Sequence, residues 1–391
     1  MSWKTITTAV AVMLGVGVGA AAAQTQGVSK NEIVIGTIQD LSGPIAGLGK
    51  ASRNGLQMRF DEENEKGGVH GRKIRLAVED HGYDPKRAVL AAHKLLDQEK
   101  IFVMVATLGT PTNEAVMPLL FERNVINLFP FSPARQMFDP VHRLKFAALT
   151  PYYDQVRYSV PLIVKQRGLK KPCIIYQDDD YGDEHLKGTE DGLKTINMQL
   201  HEKTSYKRGA TDFSSQVARM NRAGCDLVVL ATLIRETVGT VSEARKAGFN
   251  PVFLGTTGMY YDLIHKLGGP AMDGIIATHT VTVPYADAGS EQVRAWAARY
   301  KAKFGEDAAV HSVYAYSTAN VVIAALNKAG PNLTTESLIA ALEQTRFPSD
   351  MFGSPEMAFS PTKRLGSNRA RFAEIRNGRW VETSDYYVVG D

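Results

Sequence analysis

Loops that follow short β-branched runs contain the residues of this sequence best suited to bind a ligand. After the run 101–106, Gly109, Thr110 and Pro111 combine a flexible glycine, a hydroxyl and a helix-opening proline. The free N–H groups at a helix start, together with the Thr110 hydroxyl, could hold a carboxylate. A plain helix cap at Thr110 or Thr112 would explain the same residue types. Because ligands of open α/β sheets bind beyond the carboxyl ends of strands, we predict ligand contact here.

A second group of loops offers aromatic, apolar and basic side chains. Tyr181 follows the acidic turn 178–180 and could close over a ligand or simply pack at a helix start. Arg235 could bind an acidic ligand through two hydrogen bonds, or remain exposed beside Glu236. Small-molecule pockets have mostly apolar or aromatic walls. The other residues predicted to form such walls are Leu48, Phe131, Leu233, Thr257 and Met259.

Signatures of enzymes, metals and cofactors are weak in this sequence. It contains no nucleophile elbow, P-loop or paired zinc histidines. Residues 178–180 lack the spacing and glycine of a calcium loop, and Gly47 and Gly49 lack the third glycine of a dinucleotide fingerprint. We therefore predict no catalytic residue, no metal and no cofactor. A secreted hydrolase is the competing class, but no histidine stands beside a candidate serine in these loops.

The first residues are typical of a secretory signal peptide. Lys4 precedes the uncharged run 9–23, which ends in the small residues 21–23. We expect cleavage after Ala23.

The formal net charge of +4, without a Lys/Arg run, argues against a nucleic-acid partner.

Short strand patterns alternate with helical patterns in two successive series, which is typical of βαβ units. The first series covers 32–129 and the second 173–254. We predict an α/β fold of two doubly wound, Rossmann-like parallel-sheet lobes.

The less regular region after 273 should complete both sheets, so the chain is expected to cross between lobes near 149, 279 and 353. These crossings would form a three-segment hinge. The predicted divisions are a signal peptide at 1–23, an N-terminal lobe at 28–148 plus 279–352, and a C-terminal lobe at 149–278 plus 353–391.

The only two cysteines, Cys173 and Cys225, each stand at the start of a predicted strand. If these are the first and third strands of one doubly wound unit, they are parallel neighbours with both cysteines at one sheet edge. A disulfide is then geometrically feasible. Two buried thiols acting as small apolar residues are the alternative.

Three spaced motifs carry a family resemblance. They are Leu-Ser-Gly-Pro within 37–49, the helix and Gly-Gly-Val-His-Gly-Arg turn of 55–72, and 176–182 followed by Asp-Gly-Leu at 191–193. From about Asn31 to Tyr386 the sequence resembles the leucine/isoleucine/valine-binding proteins of ABC importers, which have the type I periplasmic binding protein fold. The resemblance implies a monomeric periplasmic protein that closes on a small molecule and delivers it to permease and ATPase subunits. A ligand sensor of the same fold is the alternative.

The resemblance also implies roles for individual loops. In the family, the loops that are Leu108–Thr110 and Phe131–Pro133 here, including Ser132, hold the ligand carboxylate. Amino-acid binders place an acidic residue in the loop that reads 255–258 here, where this sequence has Thr257. Loss of that buried partner removes on the order of 2–5 kcal/mol of charge-assisted binding. We therefore expect an organic acid, including aromatic acids, rather than leucine, with an amino-acid-like ligand as the alternative.

Overall fold

The computed structural model describes residues 25–389, so the predicted signal peptide lies outside the described residues. The chain first builds a parallel sheet in the order β2-β1-β3-β4-β5. Apart from the edge strand β2, its strands are almost wholly buried, as expected where helices cover both faces. The strands are β1 Glu32–Gln39, β2 Lys73–Asp80, β3 Val103–Val105, β4 Ile126–Leu128 and β5 Lys145–Phe146.

Helices cover both faces of this first sheet. The helices between its strands are α1 Ala46–Glu65, α2 Pro85–His93, which continues into a π-helical turn over Lys94–Gln98, and α3 Thr110–Glu122. Side chains of α2 and α3, such as Ala91 and Val116, form one core with Val34 of β1. Alternate residues of β1, such as Ile33 and Ile35, face the other core.

The chain then crosses to a second sheet and repeats the plan. Ile174 and Ile175 of the strand β6 point to opposite cores, so this sheet is also covered on both faces. The elements are α4 Tyr152–Arg167, β6 Pro172–Gln177, α5 Asp180–Lys194, β7 Glu202–Tyr206, α6 Ser214–Ala223, β8 Leu227–Ala231, α7 Ile234–Lys246, β9 Val252–Gly255, α8 Asp262–Gly268 and β10 Ile276–His279.

After β10 the chain returns to the first lobe. The helix α10 packs closely on α1, and a Cβ atom on Gly55 would lie 2.3 Å from the Ser312 carbonyl oxygen. Not all of the region after 273 completes the two large sheets, because Met357–Ala358 pairs with Arg346–Phe347 in a separate two-stranded sheet. The elements are α9 Glu291–Phe304, α10 Val310–Ala329, α11 Thr335–Gln344, β11 Arg346–Phe347 and β12 Met357–Ala358.

The last three strands complete the second sheet. Its order is β14-β13-β10-β9-β8-β6-β7, with β13 antiparallel to β10 and β15 paired to β13. These strands are β13 Arg369–Arg376, β14 Arg379–Glu382 and β15 Tyr387–Val388. The predicted α/β architecture of two doubly wound lobes is confirmed.

The third crossing comes later than the predicted residue 353. Phe359 still packs in the first lobe, with its ring centroid 5.6 Å from that of Phe129 and 5.4 Å from that of Phe146. The Gly366 N–H then donates to the Ala147 carbonyl at 2.8 Å, so the third crossing runs beside the first. Aromatic packing around Phe359, which strand patterns do not reveal, explains the shift.

Cys173 and Cys225 form a disulfide with Cα atoms 5.9 Å apart. Cys173 lies in β6 and Cys225 precedes β8, and these strands are parallel neighbours. Both cysteines lie toward the amino ends of the strands.

Among residues 25–389, no helix is both long and apolar enough to cross a membrane.

Candidate functional site

A small cavity lies between the lobes, where loops beyond the carboxyl ends of both sheets face each other. Its volume is about 30 Å³. This is far below the several hundred Å³ typical of ligand sites, so the structure shows a closed cleft. The lining residues are Ile45, Leu48, Tyr83, Leu108, Gly109, Thr110, Phe131, Pro133, Leu149, Tyr152, Tyr181, Leu233, Thr257, Tyr261, His311 and Tyr314.

The first lobe presents the start of α3 to this cavity. Gly109 has a φ of 97°, and a Cβ atom there would lie 2.7 Å from both Thr112 Oγ1 and Tyr83 Cε2. Only glycine lets the chain turn here so tightly. The Thr110 hydroxyl lies 2.8 Å from the Ser132 hydroxyl, which fixes its position. The first N–H groups of a helix lack partners within the helix and carry partial positive charge, so this end suits an anion.

The second lobe presents hydroxyl groups on a rigid wall. Tyr181, in the first turn of α5, is 2% exposed and donates to the Thr232 carbonyl at 3.0 Å. It is therefore a fixed part of the wall and not a mobile lid. The Thr257 N–H donates to Gln155 Oε1 at 2.9 Å, and the Thr257 hydroxyl oxygen accepts from Gln155 Nε2 at 3.0 Å. The hydroxyl proton of Thr257 thus remains free to donate.

Eight of the predicted residues line the cavity and three do not. Ser132 lies behind Thr110 and positions it. Arg235 is exposed in the first turn of α7, away from the cleft. Met259 is fully buried and turns back toward Gly255, where a Cβ atom would lie 1.9 Å from its sulfur. Arg235 and Met259 were thus wrongly placed at the cavity wall.

Five further aromatic residues line the wall: Tyr261 follows the predicted loop 255–258, and the other four lie outside the predicted loops. Tyr83 follows β2, so its loop position could have identified it, and its hydroxyl accepts from Gln177 Nε2 of the second lobe at 3.3 Å. Tyr152 follows the first crossing. His311 and Tyr314 belong to the first turns of α10, which reaches the cleft only through its packing on α1. No local pattern marks that long-range contact.

The cavity wall carries no charged side chain within residues 25–389. Burial lowers the pKa of His311 to about 3, so its imidazole is neutral at physiological pH. Its Nδ1 atom has no hydrogen-bond partner among the described residues. Burial raises the pKa of Tyr314 to about 12, and raises the pKa values of Tyr152 and Tyr261 well above their ordinary range. An anion here meets neutral donors and the positive end of α3.

Polar contacts also join the lobes at the cleft rim. Arg135 of the first lobe donates to both carboxylate oxygens of Glu184 in α5, at 2.9 to 3.1 Å. Arg208 of the second lobe donates to the Tyr83 carbonyl at 3.2 Å. Both contacts exist only while the lobes are together, so they stabilise the closed form.

One acidic group opposes this closure. Glu114 of α3 faces the start of α5, and its Oε1 atom has no partner among the described residues. Burial, followed by the negative charges of Asp180, Glu184 and Asp179, raises the pKa of Glu114 from its ordinary 4.5 to about 7, against a smaller opposite effect of Lys145.

Comparison with known proteins gives consistent matches. A family model described as periplasmic binding protein matches residues 32–379. The leucine-, isoleucine-, valine-, threonine- and alanine-binding protein of Pseudomonas aeruginosa is 23% identical over 321 residues, which cover 81% of this chain and 85% of that protein.

Two solved structures share the fold. The fatty acid ABC transporter substrate-binding protein from Thermomonospora curvata superposes with a TM-score of 0.83 at 24% identity, covering 93% of this chain and 94% of that one. An R. palustris solute-binding protein in complex with benzoate superposes with a TM-score of 0.79 at 18% identity, covering 90% and 95%.

Proposed function

This chain belongs to the periplasmic binding protein family, of the type that serves branched-chain amino acid ABC importers, and from this premise we propose that it binds a small organic acid between its lobes. It is a solute-binding protein and not an enzyme. The observation that carries the proposed ligand class is an uncharged, aromatic cleft into which the start of α3 points.

The carboxylate of the ligand would bind at the start of α3. Gly109 and Thr110 line the cavity, and the Gly109 N–H already donates to the Phe131 carbonyl. Because Pro111 has no N–H, the Thr110 N–H and the Thr110 hydroxyl are the donors that would contact the anion. The hydroxyl proton of Thr257 offers a further donor from the opposite lobe. Contacts from both lobes to one ligand are made only in the closed form, so binding and closure are coupled.

Among residues 25–389, the cavity wall presents no carboxylate to an ammonium group. An α-amino acid needs a partner for its buried positive charge, and an unpaired buried charge costs several kcal/mol. At this cleft the neighbouring groups are hydroxyls and a neutral imidazole. The P. aeruginosa relative is named for amino acids, whereas the T. curvata and R. palustris structures are described with a fatty acid transporter and with benzoate. The neutral wall favours an organic acid over an amino acid as the ligand of this chain.

We place the protein in the periplasm as a monomer, after removal of residues 1–23. Its partners would be the permease and ATPase subunits of an importer, with the permease recognising the closed form. A receptor that reports the ligand is the alternative. Loss of uptake of the bound acid in a cell that lacks this protein would distinguish import from sensing.

A binding screen of residues 24–391 tests the ligand class. Benzoate, hexanoate, leucine and glutamine would be compared by calorimetry and thermal shift. A ligand at one hundred times its dissociation constant adds about 2.7 kcal/mol of stability. We expect the acids to bind and the amino acids to bind at least tenfold more weakly. Binding of leucine in preference to both acids would contradict the proposal, and turnover of a bound acid or ester would indicate a hydrolase.

A further inference from the structure

A second and larger pocket adjoins the cleft at the hinge. Its volume is about 270 Å³, against about 30 Å³ for the cleft cavity. Leu149 of the first crossing and Tyr314 of α10 belong to the walls of both. The two spaces are therefore neighbours that share these two wall residues.

The wall of this hinge pocket is mostly apolar. Val281 of the second crossing, Val321 of α10, Phe347 of β11 and Met357 of β12 contribute to it. The exposed residues Ala324 and Pro348 lie at its border with solvent. Such a wall suits a hydrocarbon chain or an aryl group, and a partly open end tolerates different lengths.

The one carboxylate among the lining residues, that of Asp350, already accepts hydrogen bonds from protein groups. Asp350 accepts hydrogen bonds from the Ser317 hydroxyl, and from the N–H groups of Phe352 at 3.0 Å and Ser354 at 3.2 Å. It needs no cation from a ligand. Its negative charge also disfavours a ligand carboxylate, whereas the start of α3 attracts one. Charge therefore orients a ligand with its acid group in the cleft and its apolar end toward the hinge.

Tyr314 is the partition between the two spaces. Its hydroxyl lies 3.0 Å from the Thr280 hydroxyl on the second crossing, and its ring centroid lies 6.4 Å from that of Phe131 in the cleft. The partition is thus attached to the segments that move when the lobes open. Leu149 also lines both spaces, so the tail of a ligand longer than the cleft cavity would run beside Leu149 and Tyr314.

We propose that the hinge pocket receives the tail of the ligand, so that the preferred ligands are carboxylic acids with an extended apolar chain or an aryl-alkyl group. This inference rests on the proposed binding of an acid in the cleft. Each methylene group that enters the pocket should tighten binding about fourfold, since burying a methylene is worth about 0.8 kcal/mol.

The test combines a chain-length series with filled-pocket variants. Acids from butanoate to decanoate, and benzoate against 4-phenylbutanoate, are titrated by calorimetry into the wild type. The same series is titrated into Val321→Trp and Ala324→Trp, with Lys328→Trp on an exposed part of the same helix as matched control. Butanoate and benzoate binding reports whether each variant is folded with an intact cleft.

We expect affinity to rise with chain length by at least tenfold over the series. The filled-pocket variants should lose that gain and keep short-acid binding, and Lys328→Trp should resemble the wild type. Short acids that bind without any gain for longer ones, or two ligands per protein, would overturn the tail pocket and leave the acid-binding cleft standing. Absence of binding by every acid would refute the proposed function itself and the tail pocket with it.

Discussion

Arg135 and Glu184 form an ion pair that joins the two lobes. The carboxylate of Glu184 is 3% exposed and the guanidinium side chain of Arg135 is 34% exposed, with a closest N–O distance of 2.9 Å. Arg135 also lies over the Tyr153 ring at 3.7 Å. The pair is buried only when the lobes meet, so its energy belongs to closure and not to the folding of either lobe.

Replacing Arg135 with Ala should therefore weaken ligand binding. The substitution leaves Glu184 buried in the closed form without its cationic partner, although the backbone N–H of residue 135 still donates to it at 3.1 Å. The open form exposes the carboxylate to water. Because Arg135 is partly exposed, we expect a loss of about 1–2 kcal/mol, or roughly tenfold in Kd. In the absence of ligand, small-angle scattering should show a larger radius of gyration for Arg135→Ala than for the wild type. Arg143→Ala, which breaks the exposed Arg143–Glu336 pair, is the control. Equal effects of both variants would contradict a role of Arg135 in closure.

Closure should also depend on pH through Glu114. Its pKa is raised to about 7 in the closed form by burial and then by the charges of Asp180, Glu184 and Asp179, which all belong to the other lobe. The pKa should therefore return toward 4.5 when the lobes separate and water reaches the group. Between these values the closed form holds a proton that the open form lacks, so closure is favoured as pH falls through 7. We expect Kd to be on the order of tenfold lower at pH 5.5 than at pH 8.

The variant Glu114→Gln isolates this effect. It mimics the protonated acid at every pH, so it should bind at pH 8 as tightly as the wild type does at pH 5.5. Calorimetric titrations across this range check both curves. A wild-type affinity that is flat with pH, or a Gln variant with the wild-type slope, would show that another group controls closure.

Gly109 should be essential for anion binding. An L-residue with a φ of 97° is strained, and a Cβ atom would contact Thr112 Oγ1 and Tyr83 Cε2 at 2.7 Å. Gly109→Ala should therefore displace the start of α3, lower stability by about 1–2 kcal/mol and weaken acid binding at least tenfold. Gly67→Ala is the matched control, because Gly67 has a φ of 108° and no atom near its Cβ position. Gly67→Ala should lose stability in urea unfolding but keep the wild-type affinity for the acid in calorimetry.

The sequence predicted the loops of the first lobe better than the residues that complete the site. Gly109 and Thr110 follow a strand directly, so strand order alone places them at the cleft. His311 and Tyr314 reach it only because α10 packs on α1, a contact between residues more than two hundred positions apart. Met259 belongs to the correct loop, but space beside Gly255 draws its side chain away from the cavity. Tertiary packing decides such side-chain directions.

The disulfide should contribute to stability without affecting binding. Cys173 and Cys225 are 52 residues apart, and a loop of this length stabilises by about 4 kcal/mol in the chain-entropy description. The bond lies toward the amino ends of β6 and β8, whereas the cleft lies beyond the carboxyl ends. The Cys173→Ala/Cys225→Ala double variant should lose about 2–4 kcal/mol of unfolding free energy and keep Kd within twofold. Urea unfolding with and without reductant checks this, and a large change in Kd would contradict it.

Thr257 should decide between acids and amino acids. It is 5% exposed, lines the cleft and is held by Gln155, so a side chain here faces the ligand from the second lobe. A carboxylate at this position would repel a second carboxylate and attract an ammonium group. Thr257→Glu should therefore weaken hexanoate and benzoate binding at least tenfold and improve leucine binding relative to the acids, as measured by calorimetry. Thr257→Gln has the same shape without the charge, so it should weaken all ligands alike without changing their order. An unchanged preference in Thr257→Glu would mean that the charged end of the ligand lies away from Thr257, and the neutral cleft would then no longer explain selectivity.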